Sequence, residues 1–276
     1  MKHKIFIFFI LTSLILLACS QGTTKTDGDQ AKLTQEEASK QCIINHVSEQ
    51  LSPITKIMEI HNDATKAEMP SLLEANGLFG VTKYKNKAGA DTLYNANDDE
   101  SKKNRKEVYL ALEYSERLIN DFAVLANRMA AVNDNSINTA LTTIVNKMSE
   151  YARAYYKSTV LERIRKLNEE DANKLSELSL DDLKKLKTNL DTIETSHRNL
   201  QHAVMAIKQD YDDDIEVGTV PAGGAGGAGG AAARHRLKTN ATATETADYF
   251  VGKKDQFEND LNNLIKAVNE VNKLLK

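Results

Sequence analysis

The fold class is decided by the stretch Leu183-Lys184-Lys185-Leu186-Lys187-Thr188-Asn189-Leu190-Asp191-Thr192-Ile193. Its apolar residues recur at intervals of three and four positions, and the residues between them are polar or charged. This spacing places the apolar side chains on one face of an α-helix. The stripe continues as far as Tyr211, and Ser179 precedes it as a typical N-cap residue. The stretch therefore predicts a long helix that buries one face.

Similar stripes occur along most of the chain. They predict long helices at 34–62 with a kink at Pro53, at 98–132, at 136–164, and from Thr244 to the C-terminus, and short helices at 68–75 and 169–178. No run alternates apolar and polar residues as a half-buried strand would. The sequence predicts an all-α fold, an elongated up-and-down bundle of about five long helices with short extra helices.

Two stretches interrupt the helical pattern and are predicted to be flexible loops. The first, 77–97, is rich in Gly and Asn, and the second, 213–243, contains the repeat Gly223-Gly224-Ala225-Gly226-Gly227-Ala228. Such Gly-rich segments behave as flexible linkers. The second stretch lacks the Lys-Ser/Thr pair of a phosphate-binding loop and follows no predicted strand. Residues 33–276 are expected to form one helical-bundle domain.

The N-terminus has the features of a secretory signal. Basic residues precede an apolar run of about a dozen residues, whereas a membrane span needs roughly 20. The run ends in Leu16-Leu17-Ala18-Cys19, which resembles the bacterial lipobox. The resemblance implies that residues 1–18 are removed and that Cys19 is acylated, which anchors the chain in a membrane. An ordinary secretory signal is the alternative. The polar segment 19–32 is then a disordered tether.

The cysteine content follows from this anchor. The chain contains only Cys19 and Cys42, so lipidation of Cys19 excludes an intramolecular disulfide. An unpaired cysteine on an apolar helix face is most often a small buried apolar residue. We therefore expect Cys42 to be buried, with an intermolecular disulfide as the alternative.

Composition and motifs argue against several functions. The net charge is −3, and no long basic run follows the leader, so nothing supports nucleic-acid binding. His197 and His202 are five residues apart and diverge around a helix, and the acidic run ending at Asp214 lacks the turn glycine of a calcium loop. Neither pattern supports a metal site, and no catalytic motif or cofactor motif is present. We predict a protein that is not an enzyme. Tyr151 and Tyr155 are expected in the core, with an exposed tyrosine face as the alternative.

The lipobox, the polar tether and a helical body rich in Lys, Asn, Ile and Leu without Trp together resemble surface lipoproteins of Borrelia-type spirochaetes. The resemblance implies a lipid-anchored protein exposed on the bacterial outer membrane. It further implies binding of a host serum or matrix protein for immune evasion or adhesion, for example a complement regulator such as factor H, or plasminogen. A structural or assembly lipoprotein acting through helix–helix association is the alternative.

Five basic residues are candidates for partner binding. Arg234, Arg236 and Lys238 form a local cluster that would suit an acidic partner or a sulfated glycan. Lys273 and Lys276 lie at the C-terminus, where a lysine-binding kringle domain could meet them. For each group the alternative is a solvated surface charge with no partner. The oligomeric state stays open, and the lack of an α/β pattern disfavours a periplasmic solute-binding protein.

Overall fold

The computed structural model describes residues 35–50, 54–63, 68–165, 169–218 and 235–276. The predicted signal (1–18), Cys19, the tether (19–32) and Arg234 lie outside these ranges, as does the Gly-Gly-Ala repeat. The described elements are, in chain order, α1 (Gln35–Gln50), α2 (Thr55–Asn62), α3 (Pro70–Leu73), α4 (Leu78–Val81), β1 (Lys83–Lys85), β2 (Asp91–Leu93), α5 (Asp99–Ala111), α6 (Glu116–Ala130), α7 (Asn135–Tyr156), α8 (Thr159–Arg165), α9 (Glu169–Glu177), α10 (Leu180–Asp212), β3 (Glu216–Val217), β4 (His235–Arg236) and α11 (Ala243–Leu274).

The two longest helices form the axis of the bundle. α10 has 33 residues and α11 has 32, so each spans about 50 Å at 1.5 Å per residue. They pack along one another, α10 also contacts α1 and α6, and α11 also contacts α6, α7 and α8. The predicted stripe of α10 is buried from Leu183 to Leu200. The prediction of an all-α bundle is confirmed.

The prediction of one continuous helix at 98–132 is wrong. The chain forms α5 and α6, with a tight turn between them in which Glu113 and Tyr114 both have a φ of 54°. Ser115 is the N-cap of α6, and its hydroxyl accepts a hydrogen bond from the Leu118 N–H. The stripe runs across the turn because both helices bury residues in the same core, so periodicity alone could not reveal the break.

The helix predicted at 136–164 is also two helices, because α7 ends at Tyr156 and α8 begins at Thr159. α7 begins at Asn135 with Asp134 as its N-cap, and the Asp134 carboxylate accepts hydrogen bonds from the N–H groups of Ser136 and Ile137. A carboxylate at this position also faces the positive end of the helix dipole. The predicted N-cap of α10, Ser179, agrees with the structure. The predicted start of α11 near Thr244 also agrees, since Thr242 and Glu245 form a capping box there.

The segment 77–97 is ordered, which corrects the prediction of a flexible loop and of a chain without strands. It forms α4 and an antiparallel hairpin of β1 and β2, in which Lys85 pairs with Asp91. Phe79, Tyr84 and Tyr94 are buried, and the Phe79 and Tyr94 rings stack with centroids 5.8 Å apart. These aromatic residues are not spaced at helical intervals, so hydrophobic periodicity could not predict that they are buried.

The core consists of two clusters that share the two central helices. The tether-side core takes its name from α1, which follows the predicted tether, and includes Ile44, Val47, Leu161, Leu183, Leu190 and Leu264. The hairpin-side core takes its name from the β1–β2 hairpin, whose Tyr84 it contains, and also includes Leu78, Phe79, Met129, Val145, Leu237 and Phe250. The first half of α10 and the second half of α11 enter the former, and the remaining halves enter the latter.

Cys42 differs from its prediction. Its side chain in α1 is half-buried and disulfide-bonded, whereas the sequence suggested a buried apolar thiol. The spacing of α1 places Ile44 and Val47 in the core, and Cys42 lies at the margin of that face. A residue at such a margin keeps its sulfur accessible enough to form a bond.

Candidate functional site

The end of the bundle after α10 carries two of the predicted basic residues. Arg236 in β4 and Lys238 just beyond it are both exposed. The β3–β4 pair joins Val217 to His235 and Glu216 to Arg236, so it closes the base of the segment between them. The structure therefore places Arg236 and Lys238 together on a surface at one end of the molecule.

The backbone that carries these cations is held by buried and charged contacts. Leu237, between them, is fully buried in the hairpin-side core. The Arg128 guanidinium in α6 donates hydrogen bonds to the carbonyl oxygens of Leu237 and Lys238, the latter at 2.7 Å. Asp214 accepts hydrogen bonds from the backbone N–H groups of Lys238 and Thr239 at 2.8 and 3.0 Å. The backbone is thus anchored, and the side chains also contact the protein: the Arg236 guanidinium donates to the Asp214 carbonyl oxygen at 3.4 Å, and the Lys238 ammonium lies 5.3 Å from the Tyr211 ring centroid.

Asp214 has an unusual conformation that serves this contact. Its φ of 51° is in the left-handed region, which Asp tolerates better than most residues. The hydrogen bond from the Thr239 hydroxyl, with those from the backbone, holds the pKa of the Asp214 carboxyl below its ordinary value. The carboxylate is therefore ionised at neutral pH, and it holds the backbone of Lys238 and Thr239 next to the end of α10.

The start of α11 completes this end. His235 Nδ1 lies 2.8 Å from the Glu245 carboxylate, and Glu245 also accepts a hydrogen bond from the Thr242 N–H. Gly218 has a φ of +91°, and a Cβ there would lie 2.5 Å from Glu245 Oε1. Glycine is therefore required where the chain leaves β3.

The C-terminal lysines lie elsewhere. Lys273 is exposed and pairs with Glu270 at 2.7 Å, and Lys276 is exposed at the C-terminus. About 45 Å of helix separates Ala243 from Lys273. The structure does not bring Lys273 and Lys276 to the surface that carries Arg236 and Lys238, so the two predicted groups lie on separate surfaces.

The acidic run at the end of α10 has protein partners. Asp210 binds the Tyr249 hydroxyl and Lys253, and Asp212 binds Arg117 and Lys208. Within the described ranges, no group of three or more His, Cys, Asp or Glu side chains could hold a metal ion. In the same ranges, no helix has the length and apolar character needed to cross a bilayer.

A polar cluster inside the bundle was not predicted. Tyr156 donates a hydrogen bond to Glu113 at 2.8 Å, and the Gln201 side chain also binds Glu113. Tyr151 lies 2.6 Å from His197 Nδ1. Burial, the dominant cause, raises the pKa of Tyr151 and of Tyr156 above the ordinary value. Tyr151 and Tyr155 are core residues, as predicted, and Tyr156 is buried as well, so the alternative of an exposed tyrosine face is wrong.

The turn between α5 and α6 explains how Glu113 reaches this cluster. Glu113 and Tyr114 both have a left-handed φ, which turns the chain sharply between the two helices. The conformational strain costs on the order of 1 kcal/mol or more for each residue. Strained residues of this kind concentrate at functional sites. Glu113 also lines a cavity, and hydrophobic periodicity gave no sign of the strained turn or of the cavity.

The cavity lies between α6, α7, α10 and α11 and has a volume of about 340 Å³. Its walls are mainly apolar; the apolar lining includes Leu118, Phe122, Ile144, Met148, Val204 and Phe257. The cavity opens to solvent on one side. A concave, mainly apolar space of this volume with a few polar groups is a candidate ligand site.

Comparisons with known proteins identify the fold and the family. The structure is similar to a C-terminal proteolytic fragment of an outer surface protein from Borrelia burgdorferi (TM-score 0.52, 12% identity, covering 84% of this chain and 99% of that one). It is also similar to outer surface protein BBA66 (TM-score 0.53, 11% identity, 84% and 99%) and to the Lyme disease associated outer surface protein BBA65 (TM-score 0.50, 15% identity, 84% and 100%), both from B. burgdorferi. At these identities the likeness concerns the fold.

A search of curated proteins found no match. The family model described as "Borrelia Bbcrasp-1 domain containing protein" matches residues 74–276. This range includes all of α10 and α11, the polar cluster and the cavity. The match covers most of the chain and confirms the resemblance to Borrelia surface proteins. The chain therefore belongs to the Borrelia Bbcrasp-1 domain family of outer surface proteins.

Proposed function

We propose that this protein is a lipoprotein, anchored through Cys19, that binds a soluble host protein with the surface formed by Arg236 and Lys238. The observation that carries the proposal is that both cations are exposed on a backbone fixed by Arg128 and Asp214. A preorganised charged surface loses little conformational freedom on binding. Its complement is an acidic surface, as on a complement regulator such as factor H or on a matrix protein. The role is binding, with no catalysis.

The position of this surface in the fold supports the proposal. α1, which follows the tether, contacts α10 where His46 lies 3.3 Å from Asp191. From Asp191 to the end of α10 is about 33 Å of helix. The cations therefore lie far along the bundle from the contact that α1 makes, and a protein held by its N-terminus would present them to soluble partners.

The test is a serum binding assay with paired charge reversals. The mature chain (residues 19–276 with Cys19→Ser) contains every residue that the structure describes and is used as bait. The double variant R236E/K238E is compared with K273E/K276E, which reverses the same charge at the other candidate site. We expect R236E/K238E to weaken retention of the serum partner at least tenfold and K273E/K276E to leave it unchanged.

Two outcomes would count against the proposal. If the mature chain retains no serum or matrix protein above background, host binding is wrong. If only K273E/K276E abolishes binding, the C-terminal lysines are the site, as expected for a kringle-containing partner such as plasminogen.

The anchor is tested separately. The thioether to a lipid on Cys19 and a disulfide between Cys19 and Cys42 are alternatives, because the chain has two cysteines. We expect the mass of the protein from the native membrane to show an acylated N-terminal Cys19, and Cys19→Ser to move the protein to the soluble fraction. A variant that stays with the membrane would contradict lipid anchoring at Cys19.

An assembly role is the second candidate, and exposed apolar side chains favour it. Val124, Met205 and Val251 are about half exposed on α6, α10 and α11. A homodimer would bury such residues. Sedimentation velocity distinguishes the roles: a mature chain that is monomeric at micromolar concentration argues against assembly through these helices.

A further inference from the structure

We propose that the cavity between α6, α7, α10 and α11 binds a single-chain fatty acid, with the acyl chain inside and the carboxylate at a rim of lysines. This ligand is separate from the host protein proposed above and uses a different part of the molecule. The inference rests on the size of the cavity, the chemistry of its wall and the distribution of charge around it.

The size sets the length of the ligand. A cavity of 150 Å³ binds benzene, which has six carbons, so the volume of about 340 Å³ here suits an acyl chain of roughly twelve carbons. Two acyl chains of membrane length exceed it. The depth of the cavity is apolar and buried, since Leu125, Leu200 and Tyr151 in its wall are almost fully inaccessible to solvent.

The rim carries the cations. Lys147 is 31% exposed, and Lys253 and Lys254 are each 42% exposed, so these three ammonium groups lie where the cavity meets solvent. Their partners are side-chain carboxylates, with N–O distances of 3.1 Å for Lys147, 3.0 Å for Lys253 and 3.6 Å for Lys254. Exposed ion pairs contribute little stability, so a ligand carboxylate can replace or join one of them.

The interior orients the ligand. Asp121 Oδ2 in the wall is buried without a hydrogen-bond partner, and Lys208 Nζ is 3.8 Å away from it. Glu113 also lines the cavity and accepts hydrogen bonds from Tyr156 and Gln201. A ligand carboxylate deep in the cavity would be repelled by these two acidic groups. The fatty-acid carboxylate therefore belongs at the lysine rim and the methyl end in the interior.

The test is calorimetric titration of the mature chain (residues 19–276, Cys19→Ser) with dodecanoate below its critical micelle concentration, and with dodecanol as the uncharged probe. We expect one dodecanoate per chain and weaker binding of dodecanol. K253Q/K254Q should lower the affinity for dodecanoate about fivefold and leave dodecanol unchanged. The matched control is K266Q/K273Q, with two lysines on the same helix outside the cavity, and it should bind as the unsubstituted chain does.

A variant that fills the cavity tests the location. V204W should lower dodecanoate affinity at least tenfold while the circular dichroism spectrum stays helical. Methyl NMR of the unsubstituted chain keeps the test independent of the variant: dodecanoate should shift the methyl signals of Met148 and Met205, which line the cavity, and leave Met58 in α2 in place. Absence of binding, or binding that moves neither Met148 nor Met205, would overturn the proposal. Dodecanol that binds as tightly as dodecanoate, or a dodecanoate affinity that K253Q/K254Q leaves unchanged, would overturn the role of the lysine rim.

Discussion

The tether-side and hairpin-side cores are built in different ways. The tether-side core consists of residues at regular helical intervals, such as Leu183, Leu186 and Leu190, all fully buried. The hairpin-side core also takes in short connecting segments, and Phe79 and Leu237 enter it from outside the long helices. The first needs only hydrophobic periodicity, and the second needs polar groups that hold irregular backbone in place.

Those polar groups recur throughout the hairpin-side half. Asn127 in α6 accepts a hydrogen bond from the Leu78 N–H and donates one to the Ser71 carbonyl oxygen, which fixes α3 and α4. Arg105 donates to both oxygens of Glu68 and to the carbonyl oxygens of Tyr94 and Ala96. Because buried backbone groups must be paired, these side chains determine where the connecting segments lie. The surface with Arg236 and Lys238 is held in the same manner.

The largest expected effect is on the hairpin-side core. Arg105 is only 3% exposed, so R105M leaves Glu68 and two carbonyl oxygens without their donor. Breaking a buried pair of this kind destabilises by about 3–5 kcal/mol. Chemical denaturation measures the change. R117M is the control, because Arg117 is 71% exposed in its pair with Asp212. A loss below about 1 kcal/mol for R105M would show that this half does not depend on its polar ties.

A smaller effect is expected in the tether-side core. L264A removes a fully buried side chain of α11 and should cost about 3 kcal/mol through lost burial and the cavity left behind. V251A on the same helix, at a position 52% exposed, should change stability by less than about 0.5 kcal/mol. Since α10 and α11 cross both cores, L264A and R105M should lower a single transition. Two separate transitions in thermal unfolding would mean that the cores are independent.

The smallest effect concerns pH. Burial, followed by the charges of Lys157 and Lys106, lowers the pKa of His61 from 6.5 to about 4. The unfolded chain therefore binds a proton that the folded chain excludes as pH falls from 6.5 towards 4. We expect a loss of about 1 kcal/mol at pH 5 relative to pH 7.5, with partial solvent screening of the site included.

H61Q tests this expectation, because it removes the titrating group and should flatten the profile of unfolding free energy against pH in this range. H202Q, at an exposed position on α10, serves as the control and should keep the profile of the unsubstituted chain. A profile for H61Q that matches the unsubstituted chain would assign the acid sensitivity to other groups.

The contrast between the cores also explains what could be predicted. The stripe from Leu183 to Leu200 and the cap at Ser179 are local signals, and the structure agrees with both. The break at Ser115 was missed because the apolar face is continuous across it. The cavity and the contacts of Glu113 depend on helices distant in sequence, and no local pattern encodes them. Arg236 and Lys238 were found as a charge cluster, but their support by Arg128 depends on the fold.

The short β3–β4 pair bears on how this protein can change over generations. It fixes both ends of the segment 219–234, through Asp214, Arg128 and the capping box of α11. For a connection as flexible as the Gly-Gly-Ala repeat in the sequence predicts, doubling the length costs only about 0.6 kcal/mol. Insertions and substitutions within 219–234 should therefore be nearly neutral for folding. On a bacterial surface exposed to antibodies, this segment is where we expect sequence variation between strains to accumulate.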